Sequence, residues 1–231
     1  MRNNNRTWFN PSRLPLIAAI TIMVMAGCSK KDDTYYNYDK ETSVFNGNSY
    51  QYLQNGGGLY DSMLLVINRL TGLKDSLVSG KVTLFAVNNN SFNLAMKTLN
   101  LRRASMTPAK PALTLATLDS TQLDTLACRY ILNGLYSTDK VVNNADGILA
   151  PAIKYNYNMN LLYERINAAG YVGGGPQQLF FSDPKQTPFE VFWVTTKTQI
   201  VNVKTNNGIV HVLSSGHDFG FGNEFVERMN R

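Results

Sequence analysis

An apolar run that stops just before a cysteine limits which part of this chain can fold as a domain. The run covers the 13 residues from Leu14 to Ala26, and Arg2, Arg6 and Arg13 precede it. A membrane-spanning helix needs roughly 20 apolar residues, so the run is typical of a cleaved export signal. We therefore expect residues 1–27 to be removed. Of the 231 residues, 204 remain, which is enough for one domain with a sizeable core and too few for two ordinary domains.

The cysteine itself lies in a short motif with a defined chemistry. Met25-Ala26-Gly27-Cys28 resembles a bacterial lipobox, in which the cysteine thiol takes a diacylglycerol group and becomes the new N-terminus. This resemblance implies that Cys28 is lipidated and that the anchor holds the protein at a membrane. Residues 28–44 are polar and lack apolar periodicity, so we expect them to form a flexible tether.

A lysine-aspartate cluster follows the cysteine almost directly. Its members are Lys30, Lys31, Asp32 and Asp33. The cluster resembles the lysine-plus-acidic-pair signal that sends lipoproteins of the Bacteroidota to the outer face of the outer membrane. The alternative is a solvated spacer. Together with the lipobox, the resemblance implies an outer-membrane lipoprotein that faces the cell exterior.

Charge and cysteine content exclude two broad classes of protein. The formal net charge of +6 falls to +3 without residues 1–27, which carry three arginines and no acidic residue. Since no Lys/Arg block occurs later, we do not expect a nucleic acid partner. With Cys28 lipidated, Cys128 has no intramolecular partner, and a disulfide framework is excluded. We expect Cys128 to pack as an inert thiol, because no His or Cys lies near it in the sequence.

The first half of the exported region shows mainly helical periodicity. Seven apolar residues recur at spacings of three and four and predict one buried helix face: Leu59, Met63, Val66, Ile67, Leu70, Leu73 and Leu77. Gly72 predicts a bend or break near the end of this helix. Residues 81–87 predict a strand buried on both faces, and Asn90 or Ser91 is expected to cap the next helix.

Two further segments separate this region from the strands. Residues 100–118, which contain Arg102-Arg103 and two prolines, predict a surface insertion with solvated arginines. Asp119 is expected to begin a helix that runs through Leu132, because Gln122 completes a capping-box pattern. Asn133-Gly134 predicts the left-handed end of that helix.

Strand signals dominate the second half of the chain. Five short apolar or β-branched runs predict strands over residues 159–166, 178–181, 189–195, 199–204 and 209–213. Asn206-Asn207-Gly208 predicts a tight hairpin turn, because Asn-Gly tolerates positive φ angles. Trp193 alternates with Phe192 in the third run and is expected in the core. Helices followed by a meander of strands favour an α+β or sandwich-like domain over a doubly wound sheet.

Three segments in this order are similar to the fasciclin domain family. Residues 72–77 and 83–92 resemble the first signature box of the family, in which a buried strand turns sharply into a helix. The residues that mark this box are Phe85, Asn90 and Phe92. Residues 126–132 resemble the central helix, and residues 207–213 resemble the second box. The residues that mark the second box are Asn207, Gly208 and His211.

This resemblance implies an α+β fold, a fasciclin-like β-sandwich or wedge of short strands with flanking helices. It covers residues 45–219 and leaves residues 220–231 as a C-terminal tail. The stretch from Gly216 to Gly222 resembles the ending of fasciclin-type lipoproteins of the Bacteroidota. The family's central helix carries a Tyr-His pair that is linked to integrin binding in animal matrix members. Arg129-Tyr130 stands at this place, so the resemblance does not imply integrin recognition.

Few residues could support catalysis or metal binding. The chain has two histidines, His211 and His217, so we expect no metal site and no cofactor. His211 lies in an alternating strand pattern and is predicted to be a hydrogen-bonded structural residue. Residues 214–218 contain the residue types of a hydrolase triad, but neighbours in an extended segment point to opposite faces. Since no nucleophile elbow, phosphate loop or dinucleotide fingerprint occurs, we do not expect an enzyme.

The sequence therefore predicts a non-catalytic, lipid-anchored surface protein that mediates adhesion or protein assembly at the cell envelope. Its protein or glycan partner is not identified by the sequence. The alternative is a glycan-binding accessory lipoprotein of an outer-membrane uptake complex. A hydrolase would require Ser214 or Ser215 to converge with His217 and an acidic residue.

Overall fold

The computed structural model of the chain describes residues 43–167 and 172–231. The export signal, Cys28, the lysine-aspartate cluster and most of the tether lie outside the described residues. The helices are α1 Ser49–Gln54, α2 Asp61–Arg69, α3 Leu73–Ser79, α4 Asn89–Ala104, α5 Ser120–Ala127, α6 Thr138–Val141 and α7 Asn223–Arg228. The strands are β1 Val82–Ala86, β2 Ile131–Asn133, β3 Ile148–Pro151, β4 Asn158–Arg165, β5 Gln177–Asp183, β6 Val194–Lys204 and β7 Gly208–Leu213.

The seven strands form one curled sheet in the order β2-β1-β7-β6-β5-β4-β3. β1 and β7 run parallel, and the other neighbouring strands run antiparallel. An antiparallel bridge between Leu132 in β2 and Ala152 after β3 joins the two edges, so the sheet is nearly closed. Phe85 of β1 stacks across the interior on Phe181 of β5, with ring centroids 4.0 Å apart. The predicted α+β class with flanking helices is confirmed.

The segment that resembles the first signature box contains β1, which lies between β2 and β7 in this sheet. All five residues of β1 are buried, as the apolar run between Gly80 and the asparagines predicts. Upstream, Gly72 has a φ of 81° and separates α2 from α3. The apolar stripe therefore belongs to two helices, and Gly72 is the break because a residue with a side chain rarely adopts this backbone conformation.

Asn88 caps α4, which corrects the expected cap at Asn90 or Ser91. The Asn88 side chain accepts a hydrogen bond from the backbone N–H of Ser91, and the Asn88 backbone is extended, as an N-cap requires. Asn90 lies in the first turn of α4 and donates its Nδ2 to the Ser215 carbonyl at 2.9 Å. Phe92 packs inward, and its ring centroid is 4.2 Å from that of Phe219.

The second box ties the hairpin between β6 and β7 to the helical layer. Asn207 donates its Nδ2 to the carbonyl oxygens of Leu77 and Gly80, at 3.0 and 2.9 Å. Neither Asn207 nor Gly208 has a positive φ, so the predicted reason for this Asn-Gly pair is wrong. Gly208 is needed because a Cβ there would lie 2.4 Å from the carbonyl oxygen of Val82.

The central helix is shorter than predicted. Asp119 caps α5 as expected, but α5 ends at Ala127 and a single 3-10 turn, Cys128–Tyr130, follows. Ile131 and Leu132 belong to β2, which pairs antiparallel with β1. These residues satisfy the apolar stripe of a helix equally well, and pairing with a buried neighbouring strand decides their conformation.

Two segments expected at the periphery are packed into the domain. Arg103 is buried at the end of α4, where it donates Nε to the Pro111 carbonyl at 2.7 Å and Nη1 to Asn230 Oδ1 at 2.9 Å. Only Arg102 of the predicted solvated pair is exposed. Residues 220–231 include α7 and pack on the core, so the fold extends past residue 219. The buried side chains of this segment are Phe221, Phe225 and Met229.

Candidate functional site

The residues that resemble the two signature boxes build the fold. Phe85, Phe92 and His211 are buried in the core. Asn207 and Gly208 hold the β6–β7 hairpin against the helices, and Asn90 bonds a neighbouring loop. Cys28 and the lysine-aspartate cluster lie outside the described residues. The functional surface must therefore be sought elsewhere on the domain.

His211 is a buried structural histidine, as predicted. Its Nε2–H donates to the Tyr136 carbonyl at 2.8 Å, and its Nδ1 accepts from the Asn202 backbone N–H at 3.2 Å. Burial lowers the pKa of His211 to about 4, although the bond to Tyr136 opposes this shift. Both ring nitrogens are satisfied in the neutral form, so the imidazole has no free nitrogen to act as a base.

The residues of a hydrolase do not converge around His217. The Tyr130 hydroxyl accepts from the Gly220 backbone N–H at 2.8 Å and shares a hydrogen bond with His217 Nε2 at 2.7 Å. Nε2 is therefore occupied, and burial lowers the pKa of His217 to about 3. Ser214 Oγ accepts instead from the Gly216 N–H. Cys128 is fully buried, and burial raises its pKa to about 12, as expected for an inert thiol.

Arg129 forms the centre of an ion-pair network that sequence reasoning did not find, named here the Arg129 cluster. Its other members are Asp183, Lys185, Glu224 and Arg228. The Arg129 guanidinium bonds Asp183 at 2.6 Å and Glu224 at 2.7 Å. Burial alone would raise the pKa of Glu224, but hydrogen bonds from three cations hold it well below its usual range.

The largest cavity among those described, about 780 Å³, borders the Arg129 cluster. The charged side chains of the Arg129 cluster form ion pairs with one another at the wall of this cavity. The Tyr157 hydroxyl donates a hydrogen bond to Asp183. Arg129 and Tyr130 are both buried. The bond from Arg129 to Glu224 fastens α7 to the sheet.

An exposed segment, residues 184–193, connects β5 to β6 and is named here the aromatic loop. The sequence predicts a strand over residues 189–195, but residues 190–192 form a single 3-10 turn and β6 begins at Val194. Phe189, Val191 and Phe192 are 64%, 85% and 63% exposed. Isolated apolar residues are common on protein surfaces, but three on one short loop are typical of an interaction site.

Trp193 ends the aromatic loop and is not in the core, which corrects the prediction. The indole is half-buried, and its Nε1 donates to the Thr187 carbonyl at 2.9 Å, so the loop is closed on itself. On its inner side this loop faces β3 and β4 across a cavity of about 590 Å³, named here the polar groove. Its polar lining includes Asp146, Asn156, Asn158, Asn160, Gln186 and Glu190.

Within residues 43–167 and 172–231, no three His, Cys, Asp or Glu side chains are placed to hold a metal ion. Over the same residues, no helix has both the length and the apolar character needed to cross a bilayer.

The similarity of this chain to known proteins lies in its structure. No protein-family model matches the sequence, and no curated protein matches it. A similar solved structure is the FAS1 domain pair from the insect cell adhesion molecule fasciclin I, at 19% sequence identity and a TM-score of 0.39. The match covers 74% of this chain and 44% of that one, so this chain spans less than half the length of that structure.

Proposed function

We propose that this chain is a non-catalytic, lipid-anchored envelope protein whose fasciclin-like domain mediates adhesion or protein assembly. The observation that carries the proposal is the aromatic loop, which presents Phe189, Val191 and Phe192 to solvent. Aromatic residues are enriched at protein interfaces because they bury a large area at a low cost in conformational entropy. The candidate catalytic groups, in contrast, are engaged in the core, as His211 and His217 illustrate.

The lipid anchor is the second part of the proposal, and Cys28 carries it. The apolar run before Cys28 is too short to span a bilayer, so the lipid supplies the attachment. We expect Cys28→Ser to move the protein from the membrane fraction to the soluble fraction. Fractionation of cells after a high-salt wash checks this result. A Cys28→Ser protein that stays with the washed membranes would contradict lipid anchoring.

The aromatic loop is tested by removing its apolar side chains together. We expect the triple variant Phe189→Ser, Val191→Ser, Phe192→Ser to reduce binding of the purified protein to whole cells by about tenfold or more, since interface aromatics contribute most of the binding energy. The thermal midpoint should change little, because the substituted side chains are exposed.

The control variant has the same type of substitution, apolar to serine, outside the aromatic loop. Leu101→Ser with Val142→Ser replaces exposed apolar residues away from the aromatic loop and should bind as the parent does. Equal binding by the parent and the triple variant would remove the aromatic loop from the proposal. Equal loss in the control pair would show that the effect is not specific to the loop.

A further inference from the structure

The polar groove has two walls of different chemistry. One wall comes from β3 and β4, where Asn158 and Asn160 occupy every second position of β4 and so face the same side. Asn156 joins this wall from the turn before β4. The other wall is the inner side of the aromatic loop, with Glu190 and Trp193. The volume of about 590 Å³ lies within the range of roughly 300–1,000 Å³ that is typical of clefts for small ligands.

Most polar side chains in the groove have no partner within the protein. Asn156, Asn158, Asp146 and Glu190 make no side-chain hydrogen bond to any described residue, whereas Asn160 donates weakly to the Asp146 carbonyl at 3.4 Å. Asparagine amides donate and accept, and carboxylates accept. A purely apolar ligand would leave these groups desolvated and unpaired, which is unfavourable. The groove therefore suits a ligand that carries many hydroxyl groups.

The charge of the groove restricts the ligand further. Among the described residues that line it there are two carboxylates, Asp146 and Glu190, and no lysine, arginine or histidine. An anionic ligand would meet repulsion without a compensating cation. Nucleic acids and acidic sugars are disfavoured for this reason, and a neutral ligand is favoured.

Trp193 supplies the apolar element that a hydroxyl-rich ligand needs. The bond from its Nε1 to the Thr187 carbonyl fixes the indole, so its ring is held in place before a ligand arrives. Aromatic rings in such sites stack on the apolar face of a sugar ring. A fixed indole loses little conformational entropy on binding, which favours affinity.

We propose that the polar groove is a binding site for a neutral glycan. Its hydroxyl groups bond the asparagine amides and the two carboxylates, and one sugar ring stacks on Trp193. This site goes beyond the proposed adhesion through the aromatic loop, because it uses other residues of that loop, Glu190 and Trp193. It also gives a specific location to the glycan-binding role that the sequence left as an alternative.

The test uses Trp193 as its own reporter. The chain has two tryptophans, and Trp8 lies in the export signal that we expect to be removed, so the processed protein has Trp193 as its single indole. This protein is screened on an array of neutral and acidic glycans, and the neutral glycans that bind are titrated while the indole emission is recorded. We expect a saturable change in emission with at least one neutral glycan and none with acidic glycans.

Two further variants separate the groove from the rest of the surface. Asn158→Ala should weaken the Kd by about tenfold or more, as loss of a ligand-bonding group in a cleft does. Asn143→Ala changes an exposed asparagine outside the groove and should bind as the parent does. The triple variant of the aromatic loop should also retain glycan binding, so failure of one proposal is distinguishable from failure of the other. Absence of neutral-glycan binding on the array, or equal affinity of Asn158→Ala and the parent, would overturn the assignment.

Discussion

Replacing Arg129 with Met is expected to lower the free energy of unfolding by about 3–5 kcal/mol, the usual cost of removing one partner from a buried ion pair. Arg129 is almost fully buried and bonds Asp183 and Glu224, while its guanidinium lies 4.1 Å from the centre of the Tyr157 ring. The substitution leaves the Asp183 carboxylate in the core without its closest cation. Chemical denaturation at pH 7 measures the loss.

A second substitution distinguishes a poorly compensated charge from lost packing. After Arg129→Met, Asp183 keeps only Lys185 as a cation, at 3.0 Å. If this poor compensation is the cause, Asp183→Asn in the Arg129→Met background should recover part of the stability, and the two changes should be strongly non-additive. Arg102→Met is the matched control, because Arg102 is exposed, and it should change stability by less than about 0.5 kcal/mol. A tolerated Arg129→Met would contradict the role of the Arg129 cluster in holding α7.

Acidification from pH 6.5 to 4 is expected to remove about 6 kcal/mol of stability through two buried histidines. Burial lowers the pKa of His211 to about 4 and that of His217 to about 3, against an ordinary value of 6.5. The folded protein keeps both rings neutral, whereas the unfolded chain binds protons as the pH falls below 6.5. Each histidine therefore contributes a loss of about 3 kcal/mol by pH 4, at about 1.36 kcal/mol per pH unit.

At the acidic end of this pH range, carboxyl groups also change how the stability depends on pH. The pKa of Glu224 is held below its usual range, so protonation of the unfolded chain below about pH 4.5 adds to the loss. Burial raises the pKa of Asp218, which acts in the opposite direction. Between pH 6.5 and 5 the histidines dominate. Because a domain has about 5–15 kcal/mol of stability in total, we expect unfolding near pH 4.

Two measurements check the histidine prediction. Denaturation at several pH values should give a slope of about 2.5 kcal/mol per pH unit around pH 5, close to the value for uptake of two protons on unfolding. The imidazole nitrogen chemical shifts of the folded protein should report neutral rings at pH 5. A histidine that titrates near pH 6.5 in the folded protein would contradict the burial and bonding described for it.

The sequence was sufficient to predict those parts of the fold that depend on residues close to one another along the chain. β1 is a short apolar run between clear breakers, and its complete burial follows from that composition. Asp119 caps α5 because its side chain can reach the N–H of Gln122, a contact within one turn. Gly72 interrupts the apolar stripe at the position where the helix breaks. Each of these features is decided by fewer than about ten residues of sequence.

Features that depend on distant residues could not be predicted. Ile131 and Leu132 suit a helix stripe or a strand, and the presence of β1 beside them decides for the strand. Phe192 and Trp193 have strand-like composition, but the prolines before them and the end of β5 produce an exposed loop. The Arg129 cluster joins residues up to 95 positions apart, and only an arginine within an apolar stripe hinted at it.

The polar groove combines one feature decided by neighbouring residues with one decided by distant residues. Asparagines at positions 158 and 160 lie on one face of β4, and their alternation is visible in the sequence. Their opposite wall, which carries Glu190 and Trp193, depends on the order of strands in the sheet. A groove of this kind therefore has one wall that the sequence indicates and one that it does not.

Photo-crosslinking in whole cells tests whether the lipid-anchored domain engages an envelope partner through the aromatic loop. A benzophenone amino acid at position 191, the most exposed of the three apolar residues, is compared with the same group at exposed position 101 on α4. We predict a discrete adduct from position 191 only, and its loss when Cys28→Ser removes the anchor. The same adducts from both positions, or none from position 191, would contradict this interaction.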